Sequence, residues 1–475
     1  MNQAKNLIRL LVLVLFISCS RGGTINDPTP PPPPPPPPSG VNYQLLTGWW
    51  KVAPNNSAAL ETLYFGNDNF HFESYGVSFG NRVGSWTQLP NDSFYLDITG
   101  GYAAPEARGF KIVKLTATDL EFLQGTFKGA YKKLDSPMIL SKPISSIAGT
   151  GVGGFSGDGG LATAAQLYSG PFAIDGSYNI YLSSGYRIRK INAVTGIIST
   201  VAGTGVQGFT GNGGLAINAQ IEAGSVAVDV NGNIFISDYT HNCIRKINAA
   251  DGTINMVAGN GSIYQGFTGD GGPAINAQLG SPSSLCFDAA GNLYFFDSFN
   301  RRIRKITAGT GIITTVAGNG NLGTAGDGGP ALSAQLFPGV VTIDNAGNIY
   351  IADGNTFRMR KITASTGLIN TIAGTGTEGY NGEGVTALSA KLNAIGALHV
   401  DAVGNVYFSE WTYPRIRKIT LDGKVNTVAG TGMSSYNGDG PHATAYDISG
   451  AGSLILDAQG NIIFSANNRI RKVIQ

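Results

Sequence analysis

From residue 143 to residue 475, apolar and polar residues alternate in short runs, with no helical spacing among them. "SVAVD", "IFISD", "CIRKIN" and "TINMVAG" follow one another, with "VNGN", "YTHN" and "AADG" between them. A period of two over four to seven residues, broken by Gly, Asn and Asp, predicts strands joined by tight turns. The order then recurs. "AG" followed by Thr or Asn and then Gly begins at Ala148, Ala202, Ala258, Ala317, Ala373 and Ala429. An aspartate closes an apolar run at Asp175, Asp229, Asp288, Asp344, Asp401 and Asp457, and an Arg-Lys pair begins at Arg189, Arg245, Arg304, Arg360, Arg417 and Arg471. Members of each series lie 54 to 59 residues apart. Three series in one register predict six copies of a four-stranded antiparallel unit.

Four antiparallel strands per copy make a propeller blade. The array starts with a lone fourth strand, "ISSIAG" (144–149), and stops after a third, "NRIRKVIQ". The N-terminal strand is expected to complete the last blade, closing the ring and covering two free edges. Asp-x-x-Gly-Asn-Ile/Leu-Tyr-x-x-Asp followed by Ile-Arg-Lys-Ile resembles NHL-repeat propellers, of the long-repeat kind with a Gly-Asp-Gly-Gly insert. The resemblance extends over 143–475 and implies a six-bladed NHL-type β-propeller.

Residues 41–140 read differently. "GWWKV", "ETLYFG", "NFHFES", "SFYLDI", "FKIVKL", "LEFLQG" and "GAYKKL" form a meander of short strands punctuated by Asn, Asp, Gly and Pro. Gly48 and Trp50 in "LTGWWKV", with the later "KIVKLTATDLEF", resemble lipocalin-like barrels. The fold class expected is therefore all-β, a six-bladed propeller plus a small antiparallel lipocalin-like barrel. Such a barrel holds a small apolar ligand or is plugged by Trp49, Trp50 and Trp86.

Ahead of these units, Lys5 and Arg9 precede the apolar run "LLVLVLFIS", a pattern of secretory signals. "FISC" (Phe16 to Cys19) resembles a bacterial lipobox, which implies a signal peptide over 1–19 and lipidation of Cys19. Two acyl chains anchor a protein stably to a membrane. Residues 20–40 contain nine consecutive prolines, Pro30 to Pro38, a semi-rigid polyproline II spacer of roughly 28 Å at about 3.1 Å per residue. The expected setting is an exported lipoprotein on the outer membrane or cell surface of a bacterium. No nucleic-acid partner is expected, because the net charge is only +2, without a basic block. A monomer is expected. Cys243 and Cys286 are expected to be small buried residues, with a bridge between them left open.

Several motifs imitate ligand sites. Gly203-Thr204-Gly205-Val206-Gln207-Gly208 fits a dinucleotide fingerprint, but no helix of useful length follows, and Gly149-Gly151-Gly154 repeats it at blade spacing. The inserts "GFTGDGGPAINAQL" and their kin carry Asp158, Asp270, Asp327 and Asp439, with Asn212 and Glu383 in the other copies. One acid per copy is too few for a calcium loop, so backbone geometry is the expected reason for the glycines and the aspartate. The arginines of the Arg-Lys pairs are expected to pair with acids of their own or a neighbouring blade. His241, His399 and His442 fall in a second-to-third-strand loop, a first strand and a long insert, which makes no metal ring. No catalytic residue, metal or cofactor is expected.

The long inserts share a face with the second-to-third-strand loops, which begin with Asp238, Asp297, Asp353 and Glu410 and carry Tyr239, Phe299, Phe357, Trp411 and Tyr413. Loops on a rigid scaffold are where binding usually resides. These nine residues are the candidate contacts for a protein or glycan partner at the cell envelope. A metal-dependent lyase or lactonase, or a purely structural surface protein, are the alternatives.

Overall fold

The computed structural model describes the backbone of eight strands between residues 48 and 133 and, with side chains, residues 142–475 apart from 262 and 263. The signal peptide, Cys19 and the proline linker lie outside the described residues, as do the side chains of Trp49, Trp50 and Trp86. The chain divides into two units, Met1–Leu140 and Ser141–Gln475. In the first, the eight strands from Gly48–Val52 to Phe127–Lys133 pair antiparallel in chain order. The first strand also pairs with the last, Trp50 lying opposite Lys133.

The second unit is a ring of six antiparallel sheets. Blade 2 shows the plan: Ser225–Val228, Ile234–Asp238, Cys243–Ile247 and Ile254–Ala258. Blade 1 precedes it with strands from Phe172–Ile174 to Ile198–Ala202, and blades 3, 4 and 5 end at Ala317, Ala373 and Ala429. Blade 6 has three strands of its own, Leu454–Leu456, Ile462–Ala466 and Arg469–Val473. Its fourth is Ile144–Ala148, with Ile470 opposite Ala148 and Val473 opposite Ile144. The closure expected from the two ends is the closure observed.

The apolar alternation has a clear destination. Each core cluster lies between consecutive blades: Tyr181, Ile188 and Ala202 of blade 1 pack with Ile221, Val226 and Ile236 at blade 2. Ile463 and Ile470 of blade 6 pack with Leu167 and Phe172 at blade 1, which carries the core around the ring. The first strands of all six blades surround a central channel of about 480 Å³.

The turn between first and second strands is built as its composition predicts. Asp229 accepts the backbone N–H groups of Asn231 and Asn233 at 2.9 Å each, and Gly232 sits at φ 79°, where glycine alone is unstrained. The asparagine has a further task that the motif did not disclose. Its Oδ1 accepts the N–H of Ala249 at 3.0 Å, tying this turn to the one between strands three and four.

Candidate functional site

The repeat arginines organise the long-loop face from within. Arg189, Arg245, Arg304, Arg360, Arg417 and Arg471 are 0% exposed. A buried guanidinium is costly unless its donors are met, and the inserts supply acceptors to each of the six. Each insert precedes its blade and folds back over it. Arg189 pairs with Asp158 at 2.6 Å, Arg304 with Asp270 at 2.8 Å, Arg360 with Asp327 at 2.9 Å and Arg471 with Asp439 at 2.8 Å. Carbonyls of the same inserts take further donors in several blades, as Ser156 and Gln166 do for Arg189. Burial pushes the Asp158 carboxyl up, but hydrogen bonds from Thr200 and Arg189 outweigh it and hold it below the usual range. The insert aspartate is thus an ion-pair partner as well as part of a turn, which corrects the purely conformational reading. The glycines do serve the turn: Gly269 lies at φ 94° and Gly271 at φ 82°.

A second correction concerns the loop acids. Asp238, Asp297, Asp353 and Glu410, expected at the partner surface, are all 0% exposed. Three of them face the arginine layer: Asp297 reaches Arg304 at 3.0 Å, Asp353 reaches Arg360 at 3.3 Å and Glu410 reaches Arg417 at 3.5 Å. They hold the loop to the blade and leave the face to other groups.

The loop aromatics do reach the face. Tyr239 is 45% exposed, Phe299 55%, Trp411 52% and Tyr413 49%, while Phe357 is half-buried. Their inner edges rest on glycines at the blade entrances. A Cβ at Gly224 would stand 2.6 Å from the Tyr239 ring, and one at Gly450 2.9 Å from the Trp411 ring. Between blades 1 and 2 the face opens into a cleft of about 670 Å³. Phe155, Tyr168, Tyr186 and Tyr239 contribute rings to it, and Arg187 and Glu222 contribute charge. Glu222 accepts the Tyr239 hydroxyl at 2.8 Å.

Blade 2 also assembles a group that the sequence reading did not name. Glu222, Asp238 and His241 bring ligand atoms within 4.8 Å of one another. His241 Nδ1 lies 2.7 Å from Asp238 Oδ1, and its ring stacks on Phe209 at 4.7 Å. Burial raises the Asp238 carboxyl despite the hydrogen bond from His241. Comparison of the six copies at one offset would have exposed the group: where blade 2 has Glu222, the others carry Tyr168, Gly280, Phe337, Asn393 and Ser449.

The three histidines stay apart, as expected. His399 is on the blade 5 first strand at the channel, where burial lowers its pKa to about 4 and keeps it neutral near pH 7. Cys243 and Cys286 are free thiols; burial raises both, Cys286 to about 12, so neither is a reactive thiolate.

No protein-family model matches the chain. Human NHL repeat-containing protein 2 is 24% identical over 270 residues, which cover 49% of this chain and 36% of that protein. The chain therefore spans a little over a third of that relative's length. A solved structure of a protein of unknown function from Bacteroides thetaiotaomicron superposes with a TM-score of 0.54 at 18% identity, covering 89% of this chain and 99% of that one. An auxiliary nutrient binding protein from the same organism gives a TM-score of 0.50 at 14% identity, over 86% and 94% of the two chains. The six blades closed into a ring make the C-terminal unit an all-β, six-bladed propeller, and its sequence is similar to that of an NHL repeat-containing protein.

Proposed function

We propose that the propeller is a non-catalytic binding module that takes a protein or glycan partner on its long-loop face, seated in the cleft between blades 1 and 2. The observation that carries this reading is the cleft itself. Four aromatic rings wall a space with two charged groups, the combination of large apolar area and few polar anchors found in ligand sites. Phe299, Trp411 and Tyr413 extend the aromatic surface around the face. The loop acids of blades 3 to 5 are held by buried arginines, which favours binding over acid–base chemistry there. The fold is also that of a protein described as nutrient-binding, so binding is a role this architecture does carry.

The same reading places the chain at the bacterial envelope, as an exported lipoprotein anchored at Cys19 with a proline stalk. The N-terminal pattern and "FISC" support the anchor. The in-order pairing of the eight N-terminal strands supports a lipocalin-like barrel.

Affinity electrophoresis of the full chain in gels containing envelope polysaccharides, with pull-down from envelope extracts, tests the proposal. Retardation or capture should vanish when Tyr186 and Tyr239 are both replaced by alanine. It should persist when Val194 and Val230, exposed in turns on the opposite face, are replaced instead. Capture unchanged by the tyrosine substitutions would remove the cleft, and turnover of a captured ligand would end the non-catalytic reading.

A further inference from the structure

Blade 2 departs from blade 3 at four positions that meet in space. Asn212, Glu222, His241 and Cys243 stand where blade 3 has Asp270, Gly280, Asn300 and Arg302. With Asn212 in the insert, Arg245 is held by neutral acceptors: Asn212 Oδ1 at 3.1 Å and the carbonyls of Gln220 and Thr210 at 2.9 and 2.6 Å. In blade 3 the outer Arg302 covers the insert ring of Phe267 at 3.9 Å. Cys243 supplies no such cation, and His241 covers the equivalent Phe209. Asp238 is consequently met by His241, where Asp297 is met by Arg304. Its second oxygen, Oδ2, is buried with no hydrogen-bond partner, an expensive state for a carboxylate.

We propose that Glu222, Asp238 and His241 form a binding site for one divalent transition-metal ion of the zinc class, open to the cleft between blades 1 and 2. One imidazole and two carboxylates suit zinc or manganese better than calcium, which takes six to eight oxygens. Three protein ligands leave a coordination position for water or a bound partner. Glu222 lines the cleft, so the ion has a path in. A carboxylate binds metals through one oxygen or two, so the orphaned Oδ2 can share the ion that Oδ1 and Nδ1 hold. The outer groups of a metal site are also present: Tyr239 and Gln207 donate to the two Glu222 oxygens at 2.8 and 3.0 Å, and the stack on Phe209 fixes the imidazole. Among the described residues this is the one group of three or more His, Cys, Asp and Glu side chains so assembled. The inference does not depend on what the face binds.

The test is calorimetric titration of the EDTA-stripped full chain with zinc chloride, and with cobalt chloride followed by visible absorption. One saturable equivalent is expected, weakened at least about tenfold by Glu222→Gln and by His241→Ala. Thermal unfolding in EDTA checks that each variant is folded. Glu222→Gln keeps the side-chain shape and serves if His241→Ala disturbs the Phe209 stack. Absence of zinc binding, or a site whose affinity survives Glu222→Gln, would overturn the proposal.

Discussion

Blades 2 and 3 share one strand plan and differ in how they neutralise the same buried arginine. In blade 3, Arg304 lies between two carboxylates, Asp270 and Asp297. In blade 2, Arg245 has no carboxylate within ion-pair distance among the described contacts, and Asp238 turns to a histidine. The lesson is that the blade requires its buried guanidinium to be held by acceptors from the insert or the loop, because an unmet buried charge is worth several kcal/mol. It does not prescribe the sign of the acceptor. Neutral oxygens satisfy Arg245, and that substitution releases Asp238 for other chemistry.

Four measurements sharpen or break this contrast. The largest effect concerns whether the blades are equivalent frames at all. Deleting residues 143–150 removes the borrowed fourth strand of blade 6, including the fully buried Ile144 and Ala148. A loss of at least about 5 kcal/mol is expected in denaturant titration, since one buried isoleucine accounts for 2–5 kcal/mol and each ladder bond adds about 1. Melting that does not change would mean that the ring closes otherwise.

Next, Arg304→Met should cost about 3–5 kcal/mol because it strands a buried carboxylate. Arg245→Met strands only neutral acceptors and should cost about 1–3 kcal/mol. Equal losses in parallel urea unfolding curves would dissolve the distinction between the two blades.

A smaller effect carries a sign. Burial raises the folded pKa of Asp238 above its unfolded value. A raised carboxyl contributes its stability below the unfolded pKa, near 4, and loses it as pH rises through the folded value. In metal-free protein Asp238→Asn should therefore stabilise at pH 7 and make little difference below about pH 4 in denaturant titrations at the two pH values. Destabilisation at pH 7 would show that the ionised carboxylate is favoured in the folded chain after all. The smallest effect is Asn212→Asp, which restores the insert acid beside Arg245. The equivalent aspartates are more than a third exposed in three blades, so screening limits the gain to about 0.5 kcal/mol, readable as a small rise in melting temperature.

Much of the fold was legible because its causes are local. Alternation in "IFISD" and "CIRKIN" is a property of neighbouring residues, and Asp229, Gly232 and Asn233 fix their turn within five positions. The blade count followed from repetition, and the closure from the incomplete units at each end. The site was less legible. Asp297 ends a strand and so reads as a loop residue, yet it lies inside because Arg304 is brought beside it across the hairpin and the insert closes over both. Tyr239, Phe299 and Trp411 were legible as exposed because aromatics in short polar loops have little to cover them. Which of them share a cleft was not.

The sequence by itself determined the strand pattern, the six-fold repeat, the turn chemistry and the composite last blade, all set by residues near one another or by periodicity. Tertiary structure alone decided that Asp158 and Arg189, 31 residues apart, form a pair, that the loop acids are interior, and that Glu222 meets Asp238 and His241. Those outcomes depend on how each insert folds back over its blade. That geometry is fixed by packing and by the need to satisfy a buried guanidinium, neither of which leaves a periodic trace in the chain.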